Sequence, residues 1–357
     1  MKIIDKTKKL LSEQLEKYPF MKELDICKFI YQSTFGCEHL VADLEKVLRD
    51  INTELSSLES RECPQKLIED LDGDFCRIDL SYIQKEGLSS ATLAKLFILS
   101  SKKQKGTVKD LENRLFEARR TVCESKLSFT LEEFDTATSH WKKEGYPAVH
   151  HSSTYREKYF PAYRVISKEY VPLLPLLSRI DTMLENGRVR LCIEGGSAAG
   201  KTTLSELFSQ IYDCCTVFHL DDFFLRPEQR TPERLSEAGG NLDRERFICE
   251  VLLPLDRSET VSYRPFDCST LSLLPTVTAE PTKLTILEGA YSTHPAFRGY
   301  YDFSVFLGIS DETRRERIQK RNTPIMAERF FSEWIPMEKK YFSAFDIKDK
   351  CDLVIEY

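Results

Sequence analysis

The 357-residue sequence contains no apolar run that approaches the length of a membrane span. Its first residues, Met1-Lys2-Ile3-Ile4-Asp5-Lys6, lack the hydrophobic stretch of a secretory signal. A cytoplasmic location with no membrane partner is therefore expected. Positive charge is not in excess either: 51 Lys and Arg stand against 57 Asp and Glu, for a net charge of −6. General attraction to nucleic acid is missing, so no nucleic-acid partner is expected, although local patches stay open. The eleven cysteines are odd in number and none are spaced C-x-x-C. Cys192 and Cys249 sit in apolar contexts, which favours buried reduced thiols over a disulfide framework or a zinc site. There is no H-E-x-x-H, and the neighbouring rings of His150 and His151 point apart on either secondary structure, which disfavours a metal pair.

What is present suffices for two ordinary cores: 41% of residues are apolar, and this length predicts two domains. Residues 1–185 read as mainly α-helical. Helices are expected over Ile3–Leu15, Lys22–Phe35, Glu38–Leu58, Ser90–Leu99, Thr107–Lys126 and from Thr130, whose Thr-Leu-Glu-Glu run is a capping-box pattern. Phe75–Leu80 alternates and suits a short strand. Two stretches of this half are unusual, Tyr31–His39 and His150–Arg164. One reading makes His39, His151, Tyr155, Arg156, Tyr159 and Arg164 an anion pocket. The other has the tyrosines bury their rings while the histidines and arginines solvate the surface. Val171-Pro172-Leu173-Leu174-Pro175 and a connecting helix end this half.

Residues 186–357 carry the chemistry. Val189–Ile193 is a short apolar run suited to a buried strand. Gly195-Gly196-Ser197-Ala198-Ala199-Gly200-Lys201-Thr202 follows and matches G-x-x-x-x-G-K-[ST], the P-loop. A chance match arises on the order of 0.01 times in a chain of this length. Small residues let such a loop wrap a phosphate, its N–H groups form an anion nest, and the helix expected from Thr203 adds its positive end. Lys201 can reach the β- and γ-phosphates of ATP or GTP, and the Thr202 hydroxyl can ligate Mg²⁺. Gly195 to Thr203 is thus the expected nucleotide site. No N-K-x-D guanine-reading motif follows.

Two further apolar runs end in acids: Thr216–Leu220 before Asp221-Asp222, and Lys283–Leu287 before Glu288-Gly289. Open α/β sheets bind ligands at that edge. An acid there can take a proton from an attacking hydroxyl or help hold Mg²⁺, and Glu288 is the candidate to complete a Mg²⁺ shell with Thr202. Asp221-Asp222 also fits a plain helix cap. Residues 226–243 are too long and polar for a core connection. A hairpin is expected over Ser269–Pro281, and further strands over Tyr301–Leu307 and Cys351–Ile355. The helix Thr313–Lys320, with Arg321 after it, carries Arg314, Arg315 and Arg317, suited either to transferring phosphoryl charge or to a solvated face paired with Asp311, Glu312 and Glu316.

These motifs, in this order over about residues 188–357, resemble the uridine kinase family and its P-loop relatives, which include phosphoribulokinase and bacterial pantothenate kinase. The resemblance implies an α/β P-loop kinase domain, a mostly parallel sheet between helices, preceded by the helical domain. Asp221 is then implied as catalytic base, with Lys201 and one or more of Arg314, Arg315, Arg317 and Arg321 on the transferring phosphoryl group. Asp221, Phe224, Asp243, Tyr263 and Tyr291 are implied to contact a small-molecule acceptor, and Glu288 to lie on the Mg²⁺ side. Family members that phosphorylate uridine carry a histidine shortly after the tyrosine matched by Tyr263; here that region reads Phe266-Asp267-Cys268. The acceptor expected is a nucleoside, with a sugar phosphate or pantothenate-like alcohol as the alternative. A nucleotide-responsive regulatory protein is the alternative outside enzymes. Homo-oligomer formation is left open.

Overall fold

The computed structural model describes residues 3–37, 43–58, 64–103 and 105–357. It forms two compact units, Met1–Asp181 and Thr182–Tyr357. The division falls within the helix Leu174–Asn186, a few residues before the boundary read from the sequence.

In the first unit the start signals act as local chemistry requires. Ser89 caps Ser90–Ser101 by accepting from the Thr92 amide, while Thr107 with Asp110 and Thr130 with Glu133 form reciprocal capping boxes on Val108–Glu124 and Leu131–Lys143. Each such cap contributes about 1 kcal/mol. The helix expected over Glu38–Leu58 is described as Leu44–Ser56, and its first five residues lie outside the described residues. The expected strand is the centre of a three-stranded antiparallel sheet: β1 (Ile68–Asp70), β2 (Phe75–Asp79) and β3 (Tyr163–Ser167). The two outer strands are the departure from a purely helical reading. β1 has only three residues, and β3 lies inside the stretch read for its titratable side chains.

The second unit is built on a five-stranded, wholly parallel sheet. Its strands are β4 (Val189–Gly195), β5 (Cys215–His219), β6 (Leu284–Glu288), β7 (Phe303–Gly308) and β8 (Leu353–Glu356), in the order β8-β7-β4-β6-β5. Strands covered on both faces have no polar side to present, hence the continuous apolar runs in β4, β6 and β7. Parallel pairing sends every carboxyl end to one edge. In register, Glu288 lies beside Ile193 on one side and His219 on the other, and Leu307 beside Gly195. The hairpin region is two short antiparallel pairs and begins earlier than expected: Val261–Tyr263 with Val277–Ala279, and Phe266–Asp267 with Ser272–Leu273. Two helices, 244–256 and 324–345, each contain a π-turn, Ile248–Leu252 and Phe330–Trp334. Among the described residues no helix is long and apolar enough to cross a membrane.

Candidate functional site

The loop after β4 needs its small residues for space. Gly195 has φ +147°, and a Cβ there would meet the Leu307 carbonyl oxygen at 2.6 Å. Lys201 opens the helix Lys201–Ile211, and its Nζ donates to the Gly196 carbonyl at 3.1 Å. Thr202 Oγ1 lies 3.4 Å from Glu288 Oε1, and the other Glu288 oxygen is 2.7 Å from His219 Nδ1. That hydrogen bond, aided by the charges of Glu288, Asp222 and Asp221, raises the His219 pKa against the opposing effect of burial.

Asp221 stands in the turn Leu220–Phe223, straight after β5. Its surface reaches solvent, yet neighbouring protein crowds the carboxyl closely enough that lost hydration raises its pKa. Lys201 opposes that shift, whereas Glu288 and Glu338 add to it, so these groups share one electrostatic neighbourhood. Asp222 is held differently: it accepts from the Tyr263 hydroxyl at 3.1 Å, and burial raises its pKa.

The other implied acceptor contacts are strongly engaged with their own surroundings. Phe224 bridges to Leu242. Asp243 is buried; it caps the helix after it through the Arg246 amide at 3.2 Å and accepts from Gln229 Nε2 at 2.9 Å. The Tyr263 ring stacks on Phe223 with centroids 5.1 Å apart. Tyr291 is buried at φ +79°, a left-handed conformation that costs a bulky residue roughly 1–3 kcal/mol. Glu194 holds it there. This fully buried carboxyl accepts from the amides of Gly195 (2.9 Å), Tyr291 (3.2 Å) and Thr293 (3.1 Å), and from the Tyr341 hydroxyl (3.1 Å). Burial nevertheless pushes its pKa up to about 7.

The arginines divide. A Cβ on Gly196 would meet Arg314 Nη2 at 2.8 Å, so that guanidinium lies directly over the loop, and its buried Nε has no hydrogen-bond partner. Arg317 donates to the Ala198 carbonyl at 3.0 Å. Arg315 lies over the Phe331 ring, 4.5 Å from its centroid, and Arg321 is exposed at the helix end.

Three residues were missed by sequence reasoning. Glu194, next to last in β4, and His219, last in β5, were open to the strand-end argument. Glu338, in the helix Ile335–Phe345, had no such signal. It is buried, and both its carboxylate oxygens lie 3.0 Å from the Ser197 amide, with the Ser197 hydroxyl donating as well.

Of the residues read as an anion pocket, the first unit brings His151, Tyr155 and Tyr159 together, each engaged with its own neighbours. His151 is buried between Asp25 Oδ1 (2.8 Å) and the Tyr163 hydroxyl (2.7 Å), with Tyr155 stacked on its ring at 4.1 Å. Arg164 is paired with Glu54, the Tyr159 hydroxyl accepts from the Phe20 amide, and Arg156 is exposed. His39 lies outside the described residues. The result is an internal polar network, in which burial lowers the His151 pKa to about 4.

No protein-family model matches the chain, and no curated protein matches it. Among solved structures it is similar to a possible uridine kinase from Bacillus stearothermophilus, at 21% identity over 50% of this chain and 98% of that one, with a TM-score of 0.39. It is also similar to TT1252 from Thermus thermophilus, at 18% identity over 48% of this chain and 89% of that one, with a TM-score of 0.28.

Proposed function

We propose that the second unit is a P-loop kinase that moves the γ-phosphoryl group of ATP or GTP to a hydroxyl of a small molecule, most simply a nucleoside. The observation that carries this reading is an anion already seated in the loop. The Glu338 oxygens stand in for phosphate oxygens on the Ser197 amide and hydroxyl, and Arg314 Nη2 and Glu338 Oε2 both border the space over Gly196. Donor groups arranged to receive one oxyanion suit another.

In this reading loop amides after Gly195, whose own N–H is held by Glu194, and the Lys201 ammonium hold the triphosphate. Thr202 and Glu288 are the residues that would hold Mg²⁺, which supplies charge neutralisation on the phosphates when bound. Asp221 orients the acceptor hydroxyl and takes its proton. Burial raises its pKa, which makes the carboxylate a stronger base. Arg314 and Arg317, which face the loop, stabilise the charge that develops in the transition state. Phe224, Asp243, Tyr263 and Tyr291 shape the acceptor side, Tyr263 through its bond to Asp222.

A non-nucleoside alcohol is the second reading, favoured by Phe266-Asp267-Cys268 standing where uridine-phosphorylating relatives carry histidine. ADP release from ATP measured across nucleosides, sugar phosphates and pantothenate decides between them. Release that no acceptor stimulates would refute both.

A further inference from the structure

We propose that Glu338 is a built-in competitor of the nucleotide, a carboxylate that occupies the loop's phosphate donors and must be displaced for the triphosphate to seat. This rests on the nucleotide-binding reading above. The geometry is direct. Ser197 N–H lies 3.0 Å from both carboxylate oxygens, and the Ser197 hydroxyl donates to one of them. The space over Gly196, where a phosphate would approach the backbone, has Glu338 Oε2 within 3.2 Å of an added Cβ. One N–H cannot serve two anions, and a phosphate at hydrogen-bond distance would face a buried like charge. Both features drive the carboxylate out when phosphate arrives.

The helix that carries Glu338 is anchored three residues on by the buried Tyr341, whose hydroxyl donates to Glu194 at 3.1 Å, so it is the Glu338 side chain that swings clear. A second tether is the exposed pair Lys339–Asp311 at 2.9 Å, of a kind that holds weakly in water. Lys340 adds a bond from its ammonium to the Ser236 carbonyl. The apparent nucleotide affinity is then the intrinsic one multiplied by the fraction of molecules whose loop is free of Glu338.

The test is calorimetric titration of the full chain with a non-hydrolysable ATP analogue and Mg²⁺, for the wild type, Glu338→Gln and Glu338→Ala. Glu338→Ala should bind about tenfold more tightly than the wild type, and Glu338→Gln about threefold, because the amide keeps an acceptor oxygen but loses the charge. Unchanged or weaker binding in variants that melt like the wild type would overturn the proposal, weaker binding meaning that Glu338 belongs to the nucleotide-bound site. If Glu338→Ala fails to fold, Glu338→Gln decides alone. Absence of binding by all three proteins is a different pattern, and it would remove the nucleotide-binding reading together with this one.

Discussion

Asp221 and Asp243 are both acids of the second unit, but their surroundings give them different work. Asp243 is buried and spends its oxygens on a helix cap and on Gln229, so its replacement acts first on structure. Asp221 reaches solvent at the strand edge, within the field of Lys201 and Glu288. Asp221→Asn keeps the shape and removes the proposed base. It should lower kcat by about 10²- to 10⁴-fold while leaving nucleotide affinity within about twofold, as read by steady-state assay and calorimetry. Unchanged turnover would exclude Asp221 from the base role.

His151 supplies a pH prediction for the first unit. Its folded-state pKa of about 4 lies below the ordinary 6.5, so the fold selects the neutral ring. The sign follows from linkage: the unfolded chain binds a proton near pH 6.5 and the folded chain does not. Stability is therefore full above that pH, falls as pH drops from about 6.5 to about 4, and levels off below. The loss is roughly 3 kcal/mol for this one group. Urea denaturation of the full chain at pH 7 and pH 5 should show the fall, and His151→Gln should flatten it. An equal fall in that variant would assign the acid sensitivity to other groups.

At the scale of elements, the helix Asp311–Arg321 sorts its own arginines. Arg314 and Arg317 face the loop, Arg315 stacks on Phe331, and Arg321 is exposed. Arg314→Ala should lower kcat about 10²-fold, whereas Arg321→Ala should change it less than about threefold. Equal losses would mean the helix acts through its total charge rather than through one guanidinium. The elements of the edge itself were legible in the sequence because each is contiguous: an apolar run, then a turn or an acid, as in Val189–Gly195, Leu284–Glu288 and Phe218–Asp222. Parallel pairing then brings the run ends together without further information. β1 was not legible because three residues carry too few alternations to declare a period, and β3 because Val165 and Ile166 stand side by side and break the alternation.

For the whole molecule, what escaped the sequence is what depends on distant partners. Glu338 meets Ser197 across 141 positions, and His151 meets Asp25 across 126. No local pattern announces either meeting. Arg314 and Arg317 were named with their neighbours as one cluster, and only packing separates those over the loop from those beside it. The composition spoke against membranes and nucleic acid as partners, and the motifs pointed to phosphoryl transfer, but the acceptor is a matter of the surfaces around Asp221, Tyr263 and Phe266. In the proposed function one sheet edge grips a triphosphate through Lys201 and its loop while Asp221 prepares an alcohol. The most direct measurement is acceptor-dependent ADP formation by the full chain and by Asp221→Asn, with nucleosides, sugar phosphates and pantothenate as acceptors. ADP formation should rise with one class of acceptor and fall by at least about 10²-fold in Asp221→Asn. ADP formation that no acceptor stimulates, or that the substitution leaves unchanged, would exclude the proposed function.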